Sequence, residues 1–160
     1  MRRMREQLGE PHVPNDLIPF AAIVFCGLAL APAAAHVMEL PNKIHLSRDD
    51  YLVAQKLYRG WQFVGVVVVL ALVATGVLAL QARGAAAAPL AAALLAFVCI
   101  VATQAVFWIF TFPVNRTTRN WSVAPANWAA LRRRWEYSHA ASAALNLLAF
   151  GAAVLAALWL

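Results

Sequence analysis

The stretch Trp61–Ala82, WQFVGVVVVLALVATGVLALQA, decides the fold. Val66 through Leu72 is an unbroken aliphatic run, and the apolar character around it is too long for a strand. At about 1.5 Å per residue, a helix of this length reaches across a hydrocarbon layer of about 30 Å. A lone strand in lipid would leave its backbone groups without partners, so helix is the expected state.

Three similar stretches lie on either side of it. Arg83-Gly84 links it tightly to a span at about 85–112, whose Pro89 falls in the first turns, where a missing N–H does little harm. Upstream, a span at about 17–40 follows a polar tail, residues 1–16; downstream, a last span covers about 140–160. The small residues Ala33–Ala35 would suit a signal peptidase, but His36, Glu39 and Asn42 follow at once and read as polar residues of the same helix. The expected architecture is all-α: an integral membrane, antiparallel four-helix bundle forming a single domain, 1–160.

Composition agrees. The chain is 63% hydrophobic and 12% charged, against about 45–50% and about 25% for soluble domains. The net charge of +6 comes from basic residues that flank apolar spans, so the expected partner is the lipid bilayer and not nucleic acid. Cys26 and Cys99 sit inside apolar runs and read as small core residues. Alanine-rich spans favour close helix approach in lipid.

In an antiparallel bundle the polar residues gather at one end. His36, Glu39, Lys43, Tyr58, Trp61, Asn115, Trp121, Trp128, Arg132, Trp135, Glu136 and His139 all fall there. Nine of the 13 Lys and Arg lie on this side, which by the positive-inside rule faces the cytoplasm, consistent with a bacterial inner membrane.

The segment before the last span is the most informative. It is expected to be an amphipathic helix over about 125–139 leading into that span. Trp128, Arg132, Trp135, Glu136 and His139 fall within a sector of about 100°, so they share a face. Arg132 and Glu136 are spaced i,i+4, and Glu136 and His139 i,i+3, which predicts an ion pair leading to a histidine. An interfacial aromatic belt with snorkelling arginines explains the tryptophans alone. It does not explain Glu136 and His139, since ionisable groups at this depth are costly and usually face partners inside a bundle. His36 and Glu39 repeat the histidine–carboxylate spacing on the first span.

Two chemistries fit these residues. His36, Glu39, Glu136 and His139 could hold a mononuclear metal; a dinuclear carboxylate site lacks its remaining glutamates. Otherwise no cofactor is needed: a His–Glu pair takes a proton from an acidic substrate and an arginine steadies the oxyanion, while Trp128, Trp135, Tyr58 and Trp61 offer ring faces to a small, flat, apolar aromatic ligand.

Ala35-His36 with Glu39-Leu40-Pro41-Asn42-Lys43, Tyr51, Tyr58-Arg59-Gly60-Trp61, Pro113-x-Asn115, and Leu131-Arg132-x-Arg134-Trp135-Glu136-x-x-His139 together resemble the anthrone oxygenase-like family of small four-helix membrane proteins. The likeness covers nearly the whole chain. The family includes fungal enzymes that oxidise anthrones to anthraquinones with O₂ and no apparent cofactor, and bacterial members of unknown function. The resemblance implies His139 as the base, assisted by Glu136, with Arg132 holding the oxyanion and Asn115, Trp128 and Trp135 around the substrate.

Three readings compete: an oxidoreductase, a non-catalytic accessory subunit bound to other membrane subunits, and a small transporter, which the lack of mid-span charge disfavours. An enzyme predicts a cavity lined by His36, Glu39, Arg132, Glu136 and His139. A subunit predicts these residues closed on one another beside an exposed apolar stripe.

Overall fold

The computed structural model describes residues 16–160, so the polar tail up to residue 15 lies outside the described part. The described residues form helices and turns only. Helix α1 spans Leu17–Lys43, α2 Arg48–Gln55, α3 Val64–Gln81, α4 Ala87–Val106, α5 Phe112–Thr117 and α6 Trp128–Trp159. Short 3₁₀ turns at Trp61–Phe63 and Ala82–Gly84 extend α3 at both ends. A π-helical turn, Phe107–Thr111, joins α4 to α5 without a break.

Four of these segments, Leu17–Lys43, Trp61–Gly84, Ala87–Thr117 and Trp128–Trp159, are long and apolar enough to cross a membrane. They pack in a ring: α1 against α3, α3 against α4, α4 against α6, and α6 back against α1. The all-α bundle expected from the sequence is the observed fold.

The core explains the alanine content. Ala22, Ala71, Ala93, Ala96, Ala149 and Ala153 are buried with Cys26, Leu78 and Ile100, while large side chains such as Val66, Val98 and Leu158 point outward. Lipid is as apolar as leucine, so sending the large residues outward costs nothing, and small residues inside let the backbones approach. At Gly76 the approach is close: a Cβ there would stand 3.3 Å from the Phe97 ring.

Several boundaries differ from those expected. The segment before the last span runs into it as one helix, as expected, but the helix begins at Trp128 after Asn127, with Pro125 left in the preceding turn. The third span runs on to Thr117 because the π turn carries it past Phe112. The first loop holds a helix that hydropathy does not signal. Ser47 caps α2 by accepting from the Asp50 N–H at 3.2 Å, and Asp49 and Asp50 occupy its first turn, where the helix dipole favours acids.

Enlarging a buried alanine should therefore harm the bundle more than trimming a lipid-facing leucine. Ala96→Leu or Ala153→Leu is expected to cost about 1–3 kcal/mol. Leu158→Ala should stay within about 0.5 kcal/mol of wild type. Thermal unfolding in detergent measures both.

Candidate functional site

The last turns of α1 meet the first turns of α6 and the strap between α1 and α3. That junction is built around Lys43. Its Nζ donates to Glu39 Oε2 at 3.0 Å and to Tyr58 Oη at 2.6 Å, lies 3.4 Å from Glu136 Oε1, and lies 3.4 Å from His36 Nδ1. An ammonium has no lone pair to offer, so His36 Nδ1 is the acceptor and its ring proton belongs on Nε2. The Tyr58 hydroxyl in turn donates to Glu39 Oε2.

Lysine at a helix C-terminus normally extends into water, where it also suits the dipole. Here Lys43 is 5% exposed, and the Glu136 side chain beside it has no exposed area. The same Glu136 oxygen is also held by Tyr51, whose hydroxyl donates to Oε1 at 2.8 Å. Tyr51 is itself fully buried on α2, so the first-loop helix serves to deliver one phenol to one carboxylate.

Above this network lie the rings. His36 and His139 stack with centroids 4.2 Å apart and planes inclined at 28°. Trp135 meets both edge-on, at 5.0 and 4.2 Å, and its Nε1 donates to Asn115 Oδ1 at 2.8 Å. Trp121 packs against Tyr51 and Trp135. It arrives there through a left-handed turn, since Arg119, Asn120 and Trp121 have φ of 48°, 52° and 59°. Non-glycine residues adopt this conformation at a cost, and burial of the Trp121 ring is what offsets it.

The expected ion pair between Arg132 and Glu136 is not formed. Arg132 Nη1 donates to the Leu46 carbonyl at 2.7 Å, and its guanidinium lies over the rings of Trp128 and Tyr51. Helical spacing lets the two side chains meet, but Leu46 lies between α1 and α2 and offers a carbonyl, while Lys43 and Tyr51 already hold the carboxylate. The cation of the site is Lys43; it and Tyr51 lie in the stretches that carry the family resemblance but not among the expected catalytic, substrate-binding or metal residues. His36, Glu39, Tyr58, Trp135, Glu136 and His139 are brought together as expected. Trp61 lies at the edge of the cluster, 5.7 Å from His36 between centroids. Asn115 touches it through Trp135, and Trp128 is separated from it by Tyr51.

Among the described residues no three His, Cys, Asp or Glu side chains are grouped as metal ligands. The space between His36, Glu39 and Glu136 contains the Lys43 ammonium. Two polar atoms at the centre of the cluster, Glu136 Oε2 and His139 Nε2, are buried without a hydrogen bond.

A groove of about 450 Å³ opens beside the cluster, between α1 and the start of α3. Leu28, Ala31, Pro32, Ala35, Trp61 and Phe63 are among its walls. Pro32 has no N–H to give the Leu28 carbonyl, the acceptor of a regular helix bond, and both residues face the groove. The groove is lined by none of His36, Glu39, Arg132, Glu136 and His139, so it is not the cavity expected of an enzyme; it approaches His36 through Trp61 and Ala35.

Tyr51 and Tyr58 belong to the strap outside the spanning helices. Burial, then the neighbouring Glu136, holds the Tyr51 phenol far above its ordinary value; burial, then the bond to Glu39, does the same for Tyr58. Comparison of the chain with protein-family models, with curated proteins and with solved structures finds no match.

Two outcomes follow. Lys43→Met leaves Glu136 buried without its cation and should destabilise by about 3–5 kcal/mol, and adding Glu136→Gln should restore part of the loss; detergent unfolding of both variants checks this. The phenols of Tyr51 and Tyr58 bind their protons more tightly in the fold than in the unfolded chain. Their contribution is therefore complete below pH about 10 and lost as pH rises beyond it. In an alkaline titration followed by phenolate absorbance, replacing both by Phe should remove absorbance that rises only as helicity is lost.

Proposed function

We propose that this protein is a membrane-embedded oxidoreductase of the anthrone oxygenase-like kind, taking a proton from a small, flat, apolar or phenolic substrate and passing the resulting carbanion to O₂. The observation that carries the reading is the stacked histidine pair. His139 Nε2 is buried without a hydrogen-bond partner, and two rings, His36 and then Trp61, separate it from an apolar groove.

The substrate partitions from lipid into the groove, where its volume suits a fused-ring molecule. Movement of the Trp61 and His36 rings brings the acidic C–H to His139. Proton loss to His139 gives an extended enolate. The buried Lys43 ammonium, whose hydrogen bonds are already taken by its neighbours, favours the negative enolate through its charge, the role expected of Arg132. O₂ adds at the carbanion carbon, and loss of water from the hydroperoxide leaves a ketone. Overall one CH₂ becomes C=O and O₂ supplies the oxygen of both ketone and water. Glu136 and Trp135 position the site without touching the substrate, and Arg132 fixes Tyr51 and the first loop. The basic end faces the cytoplasm of a bacterial inner membrane.

A second reading, an accessory subunit of a larger membrane assembly, draws on a different observation. Trp108, Ile109 and Phe110 form an exposed strip on the π turn, and the polar groups beneath are largely closed on one another.

The two part on one assay. Purified wild type is expected to consume anthrone and O₂ in equal amounts, and His139→Ala, at matched helicity, to lose that turnover. Undiminished turnover in His139→Ala sinks the assignment of the base; none in wild type sinks the oxygenase reading.

A further inference from the structure

Two tyrosines and four tryptophans of the polar end form one continuous series. From the groove inward the ring centroids are separated by 5.0 Å (Trp61 to Tyr58), 6.0 Å (Tyr58 to Trp135), 6.2 Å (Trp135 to Trp121), 4.9 Å (Trp121 to Tyr51) and 6.4 Å (Tyr51 to Trp128). Packing alone accounts for clustered aromatic rings. It does not account for the second feature, which is that each of the two tyrosines donates its hydroxyl to its own carboxylate, Tyr58 to Glu39 and Tyr51 to Glu136.

We propose that this series is a proton-coupled electron relay, carrying one-electron oxidising equivalents from the groove at Trp61 to the polar end at Trp128, with Tyr58–Glu39 and Tyr51–Glu136 as its two stations.

Phenols and indoles are the most readily oxidised neutral side chains, and rings this close exchange electrons without distance being limiting. Oxidation of a phenol makes it a strong acid, so a radical persists only where the proton has an acceptor within hydrogen-bond reach. Both tyrosines have one. The local charges point the same way. Lys43 Nζ lies 4.5 Å from the Tyr58 centroid, and the Arg132 guanidinium 5.5 Å from that of Tyr51. A cation at that range opposes a positively charged ring. The neutral radical, its proton given to the carboxylate, escapes that penalty. The raised phenol pKa values mean that neither tyrosine releases its proton before its electron is taken.

The steps balance. A lipid-dissolved radical oxidant of the peroxyl class, seated against Trp61, gains one electron and becomes a peroxide anion. Tyr58 loses it through Trp61, and its phenolic proton moves to Glu39. An electron from Tyr51 then crosses Trp121 and Trp135 to Tyr58; Glu39 returns the proton to Tyr58, and Tyr51 gives its own to Glu136. A water-borne one-electron reductant of the thiol or ascorbate class restores Tyr51 through Trp128, and Glu136 returns the proton. The relay does not depend on which substrate the histidines serve.

The chain has three tyrosines, and the third, Tyr137, is exposed. Full-length Tyr137→Phe protein in detergent isolates the two stations. It would be oxidised with a ruthenium tris-bipyridine photo-oxidant and persulfate, frozen, and read by electron paramagnetic resonance. The expected result is a neutral tyrosyl signal that forms more slowly in D₂O and is lost, in favour of tryptophan-type signals, when Glu39→Gln and Glu136→Gln are added. Tryptophan signals alone in the Tyr137→Phe protein overturn the relay. So does a tyrosyl signal that forms equally fast in D₂O and is unchanged in the glutamine variants. Should those variants lose helicity, the D₂O comparison on Tyr137→Phe decides by itself.

Discussion

The polar end of this bundle depends on the burial of one ammonium. Lys43 lies among two carboxylates, a phenol and an imidazole, at the edge of a region where an unpartnered charge is costly. Its partners come from three parts of the chain: Glu39 and His36 from α1 itself, Tyr58 from the strap, Glu136 from α6. The fold at this end is specified by that convergence. The alanine-lined core below closes the helices together, but its small side chains carry little information about register.

The rest of the strap follows from the same constraint. Helix α2 is too short to be stable alone, and its cap at Ser47 only helps it begin. Its place is fixed by the Tyr51 hydroxyl on Glu136 and by the Arg132 guanidinium, which holds the Leu46 carbonyl ahead of it. Gly60, with φ of 91°, then turns the chain so that Trp61 falls beside His36 and the chain enters α3. The left-handed turn before α6 closes the other side, where Trp121 is set under Tyr51 and Trp135.

Much of this was legible in the sequence. The four spans follow from hydropathy, because length and apolarity are properties of a segment read alone. So is the set of residues sharing the inner face of α6, since periodicity fixes direction. Which of those residues would bond to which was not legible. Spacing put Arg132 within reach of Glu136, but a guanidinium takes the best acceptor available, and Leu46 is distant in sequence. Lys43 read as the polar end of a helix because nothing local announces that Tyr58 and Glu136 will close over it. The cap Ser47-Arg48-Asp49-Asp50 did carry a local signal for α2, which a reading based on hydropathy passes over. The turn at Arg119–Trp121 lacks the glycines that would have marked it.

The π turn has a consequence for how this helix can change. Thr103 and Thr111 are both buried, yet eight residues of regular α-helix would leave them about 80° apart around the axis. The wide turn at Phe107–Thr111 absorbs that lag, and Arg134 donates to the Ile109 carbonyl within it at 2.6 Å. Thr111 thereby meets Ser138, and Asn115 meets Trp135. A lineage that deleted one residue here would keep an apolar helix of adequate length while rotating Asn115 away from its tryptophan. Substitutions on this segment are graded in their effect, but its length is not free to drift.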